Sequence, residues 1–286
     1  MKVMIVGAGG QLGRALRAQL PEDQVIALTH AELDITKFDH VARTVATFGP
    51  NVLINAAAFN DVDGAESRLT EAFELNAKGP KNLAMVSRAH GVKLVHVSTD
   101  YVFDGKAKEP YDELSVPNPL SAYGASKLAG EREVANYQPQ HYIVRTAWLY
   151  HTEGRNFPKT MLSLAGRDSV NVVSDRVGCP TFAPHLATAI LKVIRTDLFG
   201  LHHMASQGQA SWYDLTKELY QASGIQTQVK PVPATQFPQA ATRPDYSVMT
   251  TLRPEELKLP HWKTGLQEFV HKMRVNEQTS KGREED

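Results

Sequence analysis

Residues 2–13 read KVMIVGAGGQLG, an apolar run that gives way to glycines at 7, 10 and 13. Val3 to Val6 show no polar alternation, which suits a strand covered on both faces. The glycines then fall where such a strand would turn into a helix. Lacking Cβ atoms, they let the backbone approach a pyrophosphate, and the free N–H groups of a helix start add partial positive charge. A glycine run alone is a weak sign of a nucleotide. In this strand–turn–helix setting it becomes a strong one, with Gly7, Gly10, Gln11, Leu12 and Gly13 as the candidate cradle.

Working outward, QVIAL (24–28), NVLIN (51–55), VKLVHVS (92–98) and HYIVR (141–145) repeat the strand character. The intervals between them are long enough for crossover helices, so the expected class is α/β, a Rossmann-type doubly wound parallel sheet. VNVVS (170–174) and GLHHMA (200–205) are weaker strand candidates. From about Asn156 the character changes to amphipathic helices, at 156–166, 185–194 and 211–224, separated by loops bearing Pro and Gly. A Pro-rich stretch at 230–246 reads as irregular, a last helix covers 265–275, and residues 276–286 read as a disordered polar tail. The expected division is 1–155, mainly a nucleotide-binding domain, and 156–275, mainly a smaller substrate-binding lobe interleaved with the sheet.

Lys plus Arg and Asp plus Glu number 31 each, so no net field argues for nucleic acid or an anionic membrane. The lone cysteine, Cys179, forms no internal disulfide and suggests a reducing compartment. Standing before Pro180, it reads as a small buried residue rather than a nucleophile. Lys2 leads directly into the first strand, which argues against a signal peptide, and no apolar stretch is long enough to span a bilayer. The expectation is a soluble, cytoplasmic protein.

Dinucleotide folds place an acid near the end of the second strand, on the adenosine ribose. Here Thr29 and His30 stand in that place. With no carboxylate to repel a 2′-phosphate, and Arg14 beside Gly13 to attract one, the reading favours NADPH. Glu32 keeps NADH as the alternative. Ala56, Ala57 and Ala58 end the third strand and are small enough for a cofactor to lie close; tight packing against a helix accounts for them nearly as well.

The stretch SAYGASKLAGE (121–131) sets Tyr123 and Lys127 four residues apart, on one face of a helix. The fourth strand ends in STDYVFDG (98–105), which puts Thr99 at the carboxyl rim of the sheet, where open α/β folds place ligands. A hydroxyl, a phenol and an ammonium then surround one cofactor. Hydride delivered to a ketone leaves charge on oxygen that must be stabilised and protonated. A free phenol titrates near ~10, and an adjacent ammonium lowers that value.

These residues resemble the extended short-chain dehydrogenase/reductase family. Within it, NAAAFNDVDGAE (55–66), STDYVFDG, YGASKLAGE, VRTAWLY (144–150), NFPKTML (156–162), VGCPT (177–181) and RPDYS (243–247) are similar to the blocks of the dTDP-4-dehydrorhamnose reductases, in order. The likeness runs from residue 1 to about 273. It implies NAD(P)H-dependent reduction of the 4-keto group of dTDP-4-dehydro-L-rhamnose, with Tyr123 as acid, Thr99 on the carbonyl, and Lys127 beside the phenol and the nicotinamide ribose. Ser98 is the alternative hydroxyl, and Thr99 is preferred because it lies three residues before Val102. The resemblance further implies that Asp34, with Ile35, approaches the adenine, although Asp34 also reads as a residue of a helix N-cap region. It makes Asp63 and Tyr101 substrate-side contacts and Trp148 the aromatic under the hexose. Without the family, core packing explains Trp148 equally well. Asn156 and Arg243 would contact the thymidine diphosphate.

Two departures bear on these implications. Magnesium-bridged dimers of the family use glutamates where this chain has Ala15 and His185, so no such metal site is expected and that route to a dimer is in doubt. The C-terminal blocks also match less closely. Three rivals remain. One is a dehydratase, disfavoured because Tyr101 replaces the glutamate of its Thr-Asp-Glu strand end. The second is a non-catalytic dinucleotide-binding subunit, like the regulatory β subunit of methionine adenosyltransferase. The third is a ketoreductase for another dTDP- or UDP-hexulose.

Overall fold

A computed structural model describes residues 1–282. Strands β1 (Val3–Val6), β2 (Val25–Leu28), β3 (Val52–Asn55), β4 (Lys93–Thr99), β5 (His141–Thr146) and β6 (Gly200–His203) form one parallel sheet in the order 6-5-4-3-1-2. Alternate residues of the same strand serve opposite faces. Val3 and Ile5 pack with Leu12 and Leu16 of α1 (Gln11–Arg17) and with Leu186 and Ile190 of a later helix, Ala183–Val193. Met4 and Val6 pack on the other face with Val41 and Val45 of α2 (Phe38–Phe48), Leu83 of α3 (Gly79–Ala89) and Val134 of α4 (Ala122–Tyr137). Both faces are therefore covered, which is why the strands carry apolar runs rather than alternation.

The second half is interleaved with this sheet: β6 and the helix Ala183–Val193 both come from beyond residue 156. Four longer helices of the second half, α5 (Phe157–Ser163), α6 (Ala183–Val193), α7 (Trp212–Ser223) and α8 (Trp262–Gly282), follow in that order. A separate core joins Met161 of α5, Leu215 and Leu219 of α7 and Leu266 and Phe269 of α8.

Three expectations change. Ser169–Val173, one of the weaker strand candidates, stands outside the main sheet. It pairs in parallel with Gln228–Val232, inside the stretch expected to be irregular. Pro231 is accommodated because a two-stranded ribbon has only edge strands, where a missing N–H can face outward. The last helix begins at Trp262 and continues to Gly282, into the segment read as a tail; residues 283–286 lie outside the described residues. Among the described residues no helix is long and apolar enough to cross a membrane.

The order reverses between β1 and β3, and their carboxyl ends open a crevice of the kind where doubly wound sheets bind ligands.

Candidate active site

At the mouth of that crevice Gly7 adopts φ 79°, and a Cβ there would stand 2.6 Å from the Ala57 nitrogen. A Cβ on Gly13 would stand 2.5 Å from the Gly7 carbonyl oxygen. These two glycines thus bring turn, β3 and α1 together. Gly10 is the N-cap of α1 and no side chain caps that first turn. A cavity of about 320 Å³ runs past Gly7, Gly9, Gly10, Ile35 and Ala56–Ala58. The side-chain-free cradle and uncapped helix start fit a dinucleotide pyrophosphate. The alanines, ambiguous in the sequence, line this cavity.

The polar residues nearby are already engaged. Arg14 donates to the Gly9 carbonyl at 2.9 Å and pairs with Glu153 at 2.5 Å, so its charge is turned to the 151–156 loop and not held free for a 2′-phosphate. Glu32 accepts from the Thr29 amide and hydroxyl, both at 2.8 Å, and these bonds lower its pKa. A carboxylate does therefore stand at the end of β2. Asp34 accepts from the Thr36 amide and hydroxyl; burial opposes its ionisation, the bonds outweigh it, and its pKa is lowered. Leu33 and Ile35 line the cavity, and Asp34 between them does not.

A second cavity, about 460 Å³, shares Gly10, Ala56, Ala58 and Asn60 with the first. Gln11, Leu12, Thr99, Tyr101, Tyr123, Lys127 and Trp148 line it together. The Ser121 hydroxyl caps α4 by accepting from the Gly124 amide at 3.2 Å. Gly124 has no Cβ because one would strike the Tyr101 carbonyl, so the helix start can press against the turn after β4. Tyr123 and Lys127, one turn apart, are thereby carried to the rim beside Thr99. Ser98 donates to Glu131 at 2.5 Å, which leaves Thr99 as the hydroxyl turned to the phenol.

Burial dominates the electrostatics. It raises the Tyr123 pKa above the free phenol; Thr99 opposes that rise and the Asp100 charge adds to it. The group that opposes the rise is the Thr99 hydroxyl, where the expectation was the Lys127 ammonium. Its Nζ donates to the Val97 carbonyl at 2.6 Å, and burial pulls its own pKa to about 8, with Glu131 opposing. Tyr101 is pushed to about 12 by burial and by the neighbouring Asp100 charge. Cys179 is buried and its thiol pushed to about 12, mainly by burial, as suits an inert small residue.

The sugar-side candidates are paired with one another. Arg243 grips Asp63 with two bonds, 3.0 and 2.7 Å, and the guanidinium bonds hold that carboxyl at about 2. Neither lines the second cavity, although Arg243 also acts on Tyr101, which does. Asn156 caps α5, accepting from the Lys159 amide, and donates to Gln11 at 3.1 Å and to the His151 carbonyl at 2.6 Å. It ties the C-terminal lobe to the glycine turn, and its polar atoms are spent on those bonds. Trp148, at φ 46°, stacks on Trp212 with centroids 3.5 Å apart and planes 2° apart.

Trp212, Asn60, Thr146, Asp100 and Ser247 escaped the sequence reading, as did the buried Glu131–Arg145 pair at 2.6 Å. For Trp212 a signal existed, an aromatic at a helix start after a capping Ser211. Among the described residues no group of three or more His, Cys, Asp or Glu side chains is placed to hold a metal, and His185 pairs with Glu268 at 3.0 Å.

A glycine-cradled switch point of this form is the mark of Rossmann-type dinucleotide-binding proteins, and the chain stands in that class. It belongs to a narrower family: residues 1–275 match the family described as the RmlD substrate binding domain. It is 36% identical to a dTDP-4-dehydrorhamnose reductase of Sinorhizobium fredii (strain NBRC 101917 / NGR234), over 94% of this chain and 97% of that one. A dTDP-4-keto-6-deoxy-D-glucose reductase of Streptomyces niveus is 39% identical, over 92% of this chain and 94% of the relative. Among solved structures, the dTDP-4-dehydrorhamnose reductase of Bacillus anthracis in complex with NADP superposes with a TM-score of 0.90. That protein is 38% identical, and the match covers 95% of this chain and 100% of the other.

Proposed function

We propose that the protein reduces the 4-keto group of dTDP-4-dehydro-L-rhamnose to dTDP-L-rhamnose with NADPH, in the cytoplasm. The observation that carries the reading is that Thr99, Tyr123 and Lys127 line one cavity continuous with the glycine cradle. A reduced nicotinamide bound there supplies a hydride. Gly7, Gly10 and the start of α1 would hold its pyrophosphate, and Lys127 its ribose. The Tyr123 phenol protonates the oxygen that reduction leaves negative, and Thr99 hydrogen-bonds the same oxygen. Burial keeps water from competing at that oxygen and keeps the phenol protonated until it is needed. Lys127 stays cationic below about pH 8 and offsets the developing charge.

Two second readings have specific support. The Streptomyces niveus relative is named for a D-gluco ketone, which favours a ketoreductase of different sugar choice. The Glu32 carboxylate at the end of β2 favours NADH. Following nicotinamide absorbance with dTDP-4-keto-6-deoxy-L-hexose, a panel of other dTDP- and UDP-hexuloses, and both nicotinamides ranks the readings by kcat/KM. Failure to consume NADPH or NADH with any of these ketones overturns the assignment and favours a non-catalytic subunit.

A further inference from the structure

We infer that Asp100 is a positioning residue that decides which way the single Thr99 proton points and that feeds, through Thr99, the proton Tyr123 gives away. The inference rests on the reductase reading above and deepens it. Asp100 is 1% exposed. One carboxylate oxygen takes the Thr99 hydroxyl at 3.0 Å, and the other takes the Ser247 hydroxyl at 2.6 Å. Ser247 arrives from a segment 147 residues further on, through the RPDYS block, so a distant part of the chain is used to hold this carboxyl.

A threonine hydroxyl has one proton and two lone pairs. While Asp100 is ionised that proton is committed to the carboxylate. One lone pair accepts from the Tyr101 amide at 3.2 Å, so Thr99 then presents only the other to the cavity and cannot stabilise an oxyanion there. Once Asp100 is protonated the order reverses: the carboxyl O–H donates to Thr99, and the Thr99 proton faces the substrate oxygen. The state that assists reduction is therefore the protonated one.

The same chain balances the reaction. Reduction leaves an alkoxide, which takes the Tyr123 proton and becomes the alcohol. The phenolate left behind is unfavourable, since burial raises the Tyr123 pKa. It takes the Thr99 proton as Thr99 takes the Asp100 proton, so an O–H bond breaks at each donor and forms at each acceptor. One negative charge moves from sugar oxygen to the carboxylate, which is reprotonated from solvent before the next turnover. No oxidant or reductant enters this transfer.

The surroundings suit that role. The titratable groups whose charged forms meet Asp100 are Tyr101 on its own turn, Tyr123 on α4 and Cys179, all neutral at physiological pH. With no cation bonded to it, burial holds the carboxyl up to about 6, and the Ser247 and Thr99 hydrogen bonds keep it from rising further.

The test combines Asp100→Asn and Ser247→Ala in the full chain. Carbon NMR of the ligand-free protein should show a buried Asp carboxyl titrating near about 6. Asp100→Asn should remove it, and Ser247→Ala should move it to higher pH. In turnover with the keto sugar nucleotide, Asp100→Asn should lower kcat at least tenfold, within the ~10²–10⁴ that positioned acid–base groups supply, with KM nearly unchanged. It should also erase one alkaline limb of the kcat profile. Ser247→Ala should shift that limb upward in step with the NMR titration, and the limb from Lys127 is common to all three proteins. Parental kcat in Asp100→Asn, or a limb that Ser247→Ala leaves in place, overturns the inference. If Asp100→Asn does not fold, Ser247→Ala decides. A parent that reduces no ketone fails the reductase reading instead, and the NMR titration then judges Asp100 alone.

Discussion

The two ends of the crevice are built from different materials. Around the cradle the lining is glycine, alanine and branched apolar side chains with Thr29, His30 and Asn60 among them, and no Asp, Glu, Lys or Arg side chain in it. Around the sugar end the important groups are side chains already holding one another: Trp148 on Trp212, Arg243 on Asp63, Thr99 on Asp100. The first end is set by conformation and needs no rearrangement to accept a ligand. The second is set in a resting arrangement, which a ligand must part or redirect. On the proposed reading, the cofactor meets a preformed end and the sugar nucleotide an end whose side chains must exchange partners.

Tyr123→Phe makes the largest break between the two ends. Turnover should fall by ~10²–10⁴-fold, because the proton donor is lost, while cofactor titration and thermal unfolding stay near the parent. Turnover within a few-fold of the parent would sever Tyr123 from the chemistry. Next comes Gly13→Ala, which strikes the rigid end. The new methyl meets the backbone of Gly7 and Ala8, neither of which can step aside. Loss of about 1–3 kcal/mol in urea unfolding, with weakened cofactor binding, is expected. Unchanged cofactor affinity would show that the cradle tolerates what the geometry forbids.

Arg243→Met probes the exchangeable end more gently. KM for the sugar nucleotide should rise about tenfold, the scale of one charged hydrogen-bond pair, with cofactor affinity unchanged. Asp63 is lowered to about 2 in the folded protein from its ordinary value of 3.8. Its stabilisation is therefore present above about 3.8 and lost as pH falls through about 2. The variant should lack that part of the acid slope, a small effect because the Asp63 side chain is 41% exposed and screened. The smallest expected effect is zero: EDTA should change neither activity nor assembly. Dissociation on chelation would reveal a metal contact that Ala15 and His185 argue against.

The same contrast explains what could be read from the sequence. The cradle was legible because backbone demands leave glycines within a few residues of each other, directly after a strand. Tyr123 and Lys127 were legible for the same reason, one helical turn apart. The sugar end was not. Asp63 and Arg243 are 180 residues apart, and nothing local says they meet. Asn156 looked like a ligand contact because a polar residue before a helix serves equally as a cap. Asp100 stood in plain view inside STDYVFDG, yet its role depends on Ser247, which only the fold brings to it. The strand at Gln228–Val232 was hidden by its own Pro231, whose local meaning is breakage and whose edge position makes it harmless.

The paired indoles have an optical consequence. Two stacked, parallel chromophores with centroids 3.5 Å apart couple electronically, and the far-ultraviolet circular dichroism carries an exciton contribution set by the in-plane angle between their axes. Trp262, the third indole, is buried in the core around α8 and adds a constant background. Any molecule that tilts or parts Trp148 and Trp212 changes that contribution. The chain thus carries an intrinsic gauge of occupancy at its sugar end, one that works in the dark of catalysis, in inactive variants and without a label.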